Sequence, residues 1–137
     1  MKLPRFSVHP FAAAGIFLLL FAVPRTQSVA FVTVTVMHEL GHGTAARLLG
    51  QTIEKSTLMP VGISMKISAA ASYAEEIFIA FAGPFENILI IILSPLFPQS
   101  GFIRLFSQIT LALNLLPMAT LDGGRILSAV VSLAFGE

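Results

Sequence analysis

The chain has 137 residues, of which 55% are hydrophobic and only 11% are charged, and its formal net charge is +1. An average soluble domain has about 25% charged residues, so this chain has too little charge to cover a surface that faces water. The small net charge argues against an electrostatic nucleic-acid binder, and the lack of cysteine excludes a disulfide framework and a thiolate metal site. The composition predicts one domain, residues 1–137, embedded in lipid.

The first apolar run covers residues 8–23 and follows two basic residues, Lys2 and Arg5. A secretory signal peptide has the same pattern. Here, however, Pro24 and Arg25 lead directly into further apolar sequence rather than into a soluble domain. We therefore interpret this run as a first membrane-spanning helix, short of the usual length of about 20 residues, and the signal peptide is the alternative.

The second segment, residues 28–49, is predicted to be a helix that Gly50 terminates. It contains the sequence His-Glu-Leu-Gly-His, which starts at His38. Side chains four residues apart lie on the same face of a helix, with Cβ atoms about 5–6 Å apart, so His38 and His42 can bind one metal ion. Glu39 can then reach a water molecule on that metal without being a ligand itself.

The membrane setting strengthens the metal hypothesis. An ionisable residue at the centre of a spanning helix costs about 2.5–3.5 kcal/mol, so three such residues within five positions need a partner. Zinc is suitable because it binds imidazole and carboxylate groups. The alternative is a polar patch that hydrogen-bonds neighbouring helices. His42 precedes the helix end by about 12 Å, which predicts a metal in the cytoplasmic half of the membrane.

The most polar stretch covers residues 51–76. Within it, Ile63, Met65 and Ile67 alternate with polar residues, which predicts a strand. The Pro-Val-Gly sequence before the strand predicts a turn. A short membrane-associated β-hairpin over about residues 51–70 fits this pattern, and an irregular loop is the alternative.

Three further apolar segments are predicted to be helical. They cover residues 75–96, 101–116 and 126–135, and Pro117 and a Leu-Asp-Gly-Gly loop separate the last two. The fold class is therefore an all-α polytopic membrane protein. It has about four transmembrane helices, the last of them broken near Pro117, together with the short hairpin.

A catalytic zinc site has three protein ligands and one open position, so a third ligand must come from elsewhere in the chain. His9 lies before the first apolar run, and we interpret it as an interfacial residue. Among the carboxylates, Glu86 and Asp122 lie in apolar surroundings. Asp122 is preferred because a helix broken at Pro117 precedes it and two glycines follow it, which permits a tight backbone. A turn aspartate at a helix end is the alternative.

Two motifs together resemble the site-2 protease family of intramembrane metalloproteases. One is the His-Glu-Leu-Gly-His sequence at residues 38–42, and the other is Asn-Leu-Leu-Pro-Met-Ala-Thr-Leu-Asp-Gly-Gly at residues 114–124. The second matches the family pattern N-x-x-P-x-x-x-L-D-G. Gly-Pro-Phe-Glu-Asn at residues 83–87 resembles a further family element, and Met-Pro-Val-Gly at residues 59–62 looks like the β region of the sporulation-type branch. The resemblance covers about residues 28–130.

The resemblance implies a zinc site formed by the two motif histidines and Asp122, with Glu39 as the general base. It also implies cleavage of a peptide bond in or near a transmembrane segment of the substrate. Catalytic Asn114 and substrate-binding Asn87 match family asparagines that steady the substrate or the developing oxyanion. From the residues alone, each asparagine could equally form hydrogen bonds between helices.

Lys2 and Arg5 precede the first helix, and Arg47, Lys55 and Lys66 follow the second. By the positive-inside rule, the N-terminus and the polar stretch are predicted to be cytoplasmic. We expect a multi-pass protein in a bacterial-type cell membrane with its active site toward the cytoplasm. The expected partners are the lipid bilayer, a membrane protein substrate, and a regulatory membrane partner or a second copy. A non-catalytic membrane binding protein and a metal-ion carrier are the other functions considered.

Overall fold

The computed structural model describes residues 5–59, 62–97 and 100–136. The described chain is mostly helical and has one small sheet, in agreement with the predicted combination of helices and a β region. In chain order the elements are β1 (Arg5–Val8), α1 (Ala12–Phe21), α2 (Arg25–Leu48), β2 (Ile53–Met59), β3 (Gly62–Ile67), α3 (Tyr73–Leu93), a short 3-10 turn (Ser94–Leu96), α4 (Gly101–Asn114) and α5 (Asp122–Phe135).

The first apolar run forms a shorter helix than the sequence predicts. α1 has 10 residues, which is about 15 Å at 1.5 Å per residue, or roughly half of a hydrocarbon core of about 30 Å. The prediction of a helix over residues 8–23 is therefore wrong in its extent. Val8 belongs to β1, and Pro10 and Pro24 lie just outside the helix ends, where proline and the residue before it disfavour further helix.

The polar stretch forms the predicted hairpin, and a third strand joins it. β2 and β3 pair in antiparallel fashion, while the predicted turn residues Pro60 and Val61 lie outside the described residues. β1 pairs in parallel with β2, with Arg5 opposite Lys55. The strand order is β1-β2-β3, so β3 lies at an edge of the sheet. The parallel strand was not predicted, because its four residues merge in sequence with the apolar run that follows.

α2 has 24 residues, and Gly50 terminates it as predicted. The φ angle of Gly50 is 75°, in the left-handed region that glycine adopts without strain. The Gly50 N–H donates to the Arg47 carbonyl at 3.0 Å, and the Gln51 N–H donates to the Ala46 carbonyl at 2.8 Å. These two bonds form a Schellman motif, which satisfies carbonyl groups at the helix end. These two hydrogen bonds therefore define where α2 ends, beyond the metal-binding motif.

α3 has a capped N-terminus. The Glu75 N–H donates to the Ser72 hydroxyl at 3.2 Å, and Glu75 and Glu76 complement the helix dipole in the first turn. Together with the 3-10 turn, Tyr73–Leu96 has 24 residues, and its most apolar stretch of 18 residues has a mean hydropathy of 2.0. Of the described residues, only this helix is long and apolar enough to cross a membrane by these two criteria. The number of about four spans is therefore not confirmed.

The last helix begins earlier than the sequence predicts. α4 ends at Asn114 and α5 begins at Asp122, rather than at residue 126. Gly123 and Gly124 lie in the first turn of α5, where added Cβ atoms would collide with carbonyl oxygens of the preceding loop. These glycines are needed for the close approach of two backbone segments, and Asp122 is placed at a helix N-terminus instead of in a loop.

α3 lies at the centre of the helices and packs against α2, α4 and α5. Ala45, Ala46 and Ile79 form a small buried cluster between α2 and α3. Next to it, a Cβ added at Gly41 would lie only 2.6 Å from the Ala82 carbonyl oxygen. Small residues allow helix backbones to approach closely in this way, so α2 and α3 are held together at the level of the metal-binding motif.

Candidate metal centre

His38, His42 and Asp122 converge in the interior of the protein. The Nε2 atoms of His38 and His42 are 3.2 Å apart, and Asp122 Oδ2 lies 3.1 Å from the first and 3.2 Å from the second. All three residues are buried. α2 presents both histidines on one face, and the N-terminal turn of α5 supplies the aspartate. The structure thus brings together the three residues that the sequence analysis selected as ligands.

The three donor atoms fit a zinc ion. Two nitrogen or oxygen ligands bonded to one tetrahedral zinc at about 2.0–2.1 Å lie about 3.3–3.4 Å apart, close to the observed 3.1–3.2 Å. Asp122 Oδ2 is buried with no hydrogen-bond partner among the described residues. Protonated imidazoles would pair with it, but two Nε2–H groups would then face each other at 3.2 Å. A cation satisfies all three atoms and leaves a tetrahedral position for water or substrate.

The second ring nitrogen of His42 is bound to the main chain of α3. Its Nδ1 lies 2.8 Å from the Ile79 carbonyl oxygen, so Nδ1–H donates there and Nε2 is free of a proton for metal binding. Pro84 lies inside α3. Proline lacks an N–H and displaces the carbonyl four residues earlier, which is that of Ala80, the residue next to Ile79.

His38 contacts α3 at Asn87, about two helical turns beyond Ile79. Its Nδ1 lies 2.9 Å from the amide nitrogen of Asn87, and Asn87 is 0% exposed. The resemblance implies that Asn87 binds substrate. In the structure its side chain lies against the Nδ1 edge of the His38 ring, while the three donor atoms converge on the Nε2 edge. A direct contact between Asn87 and substrate stays a prediction.

A chain of ion pairs leads from Asp122 to α3. Arg125 Nη1 lies 3.6 Å from Asp122 Oδ1, and Arg125 Nε and Nη2 lie 2.9 and 2.8 Å from Glu76 Oε1. Arg125 therefore interacts with one carboxylate oxygen of Asp122 and leaves Oδ2 to the histidines. The sequence analysis missed this pair. The available signal was the spacing of three residues between Asp122 and Arg125, which places them on one face of a helix.

Gly83 lies against both imidazole rings. A Cβ atom at this position would collide with His42 Nε2 and would lie 2.6 Å from His42 Cε1 and 2.8 Å from His38 Cε1. Ordinary van der Waals contacts of a Cβ are 3.4–4 Å, so any side chain here would displace the rings. The sequence analysis placed Gly83 in a family element but assigned it no role.

Glu39, the predicted general base, is half-buried. It follows His38 on α2 and lies close enough to His38, His42 and Asp122 to interact with them electrostatically. The backbone N–H of Met65, on β3, faces its carboxylate. The edge strand of the sheet therefore reaches the metal centre.

The remaining two candidates have other surroundings. Asn114 lies at the end of α4, and its amide N–H donates to the Thr110 carbonyl of the same helix at 3.1 Å. Its role in catalysis stays a prediction. Glu86 lines an apolar groove between α2 and α3, together with Phe78 and Phe81.

Comparisons with known proteins identify the family of the chain. The chain matches the family model described as Peptidase M50B-like over residues 11–135. It is 36% identical over 117 residues to the zinc metalloprotease MJ0392 of Methanocaldococcus jannaschii. This match covers 77% of this chain and 34% of that protein. It is also 27% identical over 135 residues to stage IV sporulation protein FB of Bacillus subtilis. That match covers 91% of this chain and 47% of the sporulation protein.

The fold also matches a solved structure, the site-2 protease from Methanocaldococcus jannaschii. The TM-score is 0.72 at 26% sequence identity, and the match covers 96% of this chain and 70% of that one. The chain spans about a third of one curated relative and about half of the other. The family model nevertheless includes the metal-binding triad and every described helix. The chain therefore belongs to the Peptidase M50B-like family, that of the site-2 proteases.

Proposed function

We propose that the chain is the catalytic core of a zinc-dependent intramembrane endopeptidase, which cleaves a peptide bond in or near a transmembrane segment of its substrate. The observation that carries the proposal is the convergence of His38, His42 and Asp122 within 3.1–3.2 Å beside the carboxylate of Glu39. Two relatives are named zinc metalloprotease and site-2 protease, which supports the same reaction class. Because the chain spans only part of its curated relatives, the activity of the whole protein is part of the proposal.

The triad would hold zinc, which when bound lowers the pKa of water and polarises the scissile carbonyl. Glu39 would accept the proton of the attacking water and deliver it to the leaving amine. The histidine rings are already fixed by α3, so they need not reorganise during the reaction. Asn114 would stabilise the developing oxyanion after releasing the Thr110 carbonyl.

The substrate is proposed to bind as an extended segment along β3. A transmembrane helix keeps its carbonyl groups in hydrogen bonds, so the substrate must unwind locally before attack. β3 is an edge strand, and edge strands bind extended peptides through backbone hydrogen bonds. Because Met65 of this strand faces Glu39, a segment paired there would lie next to the general base.

The surface supports a membrane location. Large apolar side chains of α1 are exposed, including Phe17, Leu20 and Phe21, which suits contact with lipid. β1 pairs with β2 so that Arg5 lies opposite Lys55, and this supports an N-terminus and a polar stretch on the same, cytoplasmic side. A multi-pass topology in a bacterial-type cell membrane and a regulatory membrane partner or second copy complete the proposal.

The test compares wild-type protein with Glu39→Gln in lipid vesicles that contain a model transmembrane substrate. The variant is expected to bind zinc with the wild-type stoichiometry while cleavage falls by about 10²-fold or more, because it lacks the proton acceptor. Glu54→Gln is the control, since Glu54 pairs with Lys66 at the surface of the sheet, and it should cleave at the wild-type rate. Wild-type turnover by Glu39→Gln would refute the assigned base, and wild-type protein without zinc would refute the metalloprotease.

A further inference from the structure

Asn87 makes an incomplete set of hydrogen bonds in the interior of the protein. It is 0% exposed, and its amide nitrogen lies 2.9 Å from His38 Nδ1. Its oxygen, Oδ1, is buried and has no hydrogen-bond partner among the residues that the structure describes. A buried amide oxygen without a partner is unfavourable, so the orientation of this amide needs an explanation.

The protonation of His38 decides which end of the amide must face it. His38 Nε2 lies 3.1 Å from Asp122 Oδ2 and 3.2 Å from His42 Nε2, so it is the nitrogen that would bind zinc, and it would then carry no proton. A neutral imidazole then has its proton on Nδ1, which is a donor. The amide nitrogen of Asn87 is also a donor, so this contact places two donors against each other.

A rotation of the Asn87 amide by 180° removes the contact between two donors, and the amide nitrogen then takes the position that Oδ1 has now. Nitrogen and oxygen of an amide have nearly the same shape, and their assignment follows from the hydrogen bonds that they make. After the rotation, Oδ1 accepts from His38 Nδ1–H and the buried oxygen gains a partner. His42 has the same arrangement, because its Nδ1 lies 2.8 Å from the Ile79 carbonyl oxygen. Both histidines then donate to oxygen acceptors on α3.

We infer that Asn87 is a positioning residue of the metal centre, whose side-chain oxygen accepts the His38 Nδ1–H and thereby fixes the tautomer and orientation of that ligand. Acceptors of this kind orient metal-bound histidines and increase their basicity. The inference rests on the proposed function for the presence of zinc. It gives Asn87 a role through His38 rather than through the substrate, since the imidazole ring separates Asn87 from the three converging donor atoms.

Three substitutions separate the acceptor from the bulk of the side chain. Asn87→Asp keeps an oxygen acceptor and loses the amide donor, whereas Asn87→Leu has a similar volume and no polar atom. Asn87→Ala is a second variant without an acceptor, for the case that the leucine variant does not fold. Glu54→Gln is the control for zinc affinity, because Glu54 pairs with Lys66 at the surface of the sheet. Zinc affinity of the full chain in detergent is measured by competition with a chelator, and the absorption spectrum of the cobalt-substituted protein reports the ligand geometry.

Loss of the acceptor is expected to weaken zinc binding by about 10–100-fold in the leucine and alanine variants of Asn87. The aspartate variant should bind zinc about tenfold more tightly than either and should keep the wild-type cobalt spectrum. Glu54→Gln should bind zinc as the wild type does. Equal losses in all three Asn87 variants would overturn the inference, because they would indicate a purely structural role.

Cleavage measured on the same preparations separates this inference from the proposed function. If every Asn87 variant binds zinc as tightly as the wild type but turns over substrate slowly, Asn87 acts on the substrate and the inference is wrong. If the wild type binds zinc and the variants follow the expected order, but the wild type does not cleave, only the proposed protease activity is refuted.

Discussion

Replacing Gly83 with alanine is expected to weaken zinc binding while the rest of the fold stays intact. The added methyl group would lie 2.6 Å from His42 Cε1 and 2.8 Å from His38 Cε1. Against the 3.4 Å lower limit of ordinary contacts, these two ring carbons must move by roughly 0.6–0.8 Å, and His42 Nε2, which would be closer still, must move by more. A zinc site tolerates deviations of only about 0.2 Å in its ligand distances, so the displaced rings cannot both bind the metal without strain.

The size of the effect depends on how the strain differs between the metal-free and the zinc-bound protein. Zinc binding requires the rings at their present positions, whereas metal-free rings can give up their hydrogen bonds to α3 and move away from the methyl group. The cost of overpacking, about 1–3 kcal/mol, therefore falls mainly on the zinc-bound state. This cost corresponds to roughly 5- to 150-fold weaker zinc binding. Chelator competition on the purified variant measures the dissociation constant, and thermal unfolding of the metal-free protein checks that the fold is retained.

Gly101→Ala is the matched control, because a Cβ atom at Gly101 would have nothing within 4 Å. Among the described residues, the glycines with a positive φ are Gly50 and Gly136. Alanine is therefore not strained at Gly101. This variant should bind zinc as the wild type does. Wild-type zinc affinity in Gly83→Ala would refute the argument that α3 packs tightly against the ligand rings.

Two further substitutions test the third ligand and its support. Asp122→Ala removes the only aspartate of the chain, and zinc in the purified protein should fall well below one ion per chain; unchanged metal content would mean that another residue is the third ligand. Arg125→Met removes the guanidinium between Asp122 and Glu76 and should weaken zinc binding by about 10–100-fold. Lys66→Met breaks an exposed ion pair instead and should leave zinc affinity unchanged, so equal losses in these two variants would contradict a specific role of Arg125.

The parts of the site that the sequence could predict are those that depend on local spacing. His38, Glu39 and His42 lie within five residues of one helix, so helical geometry alone places both imidazoles on one face. The end of α2 at Gly50 and the hairpin likewise follow from short-range patterns. Asp122 required elimination and a family resemblance, because it comes from a distant helix.

The parts that the sequence could not predict depend on contacts between distant segments. β1 has too few residues for a pattern of its own, and only its pairing with β2 defines it. The Ile79 carbonyl carries no side-chain signal at all, yet it accepts the His42 hydrogen bond. Asn87 could be recognised as polar in an apolar helix, but its partner His38 became apparent only when α2 and α3 were packed together.

All three candidate ligands are supported by one face of α3. Glu76, Ile79, Gly83 and Asn87 are separated by three, four and four residues, so at about 100° per residue they fall within an arc of about 80°. Glu76 acts through Arg125 on the aspartate, while the other three contact the histidine rings. A slip of α3 by one residue would turn this face by about 100° and remove all of these contacts together. The packing register of α3 and the geometry of the metal centre are therefore a single requirement, although α3 contributes none of the three ligands.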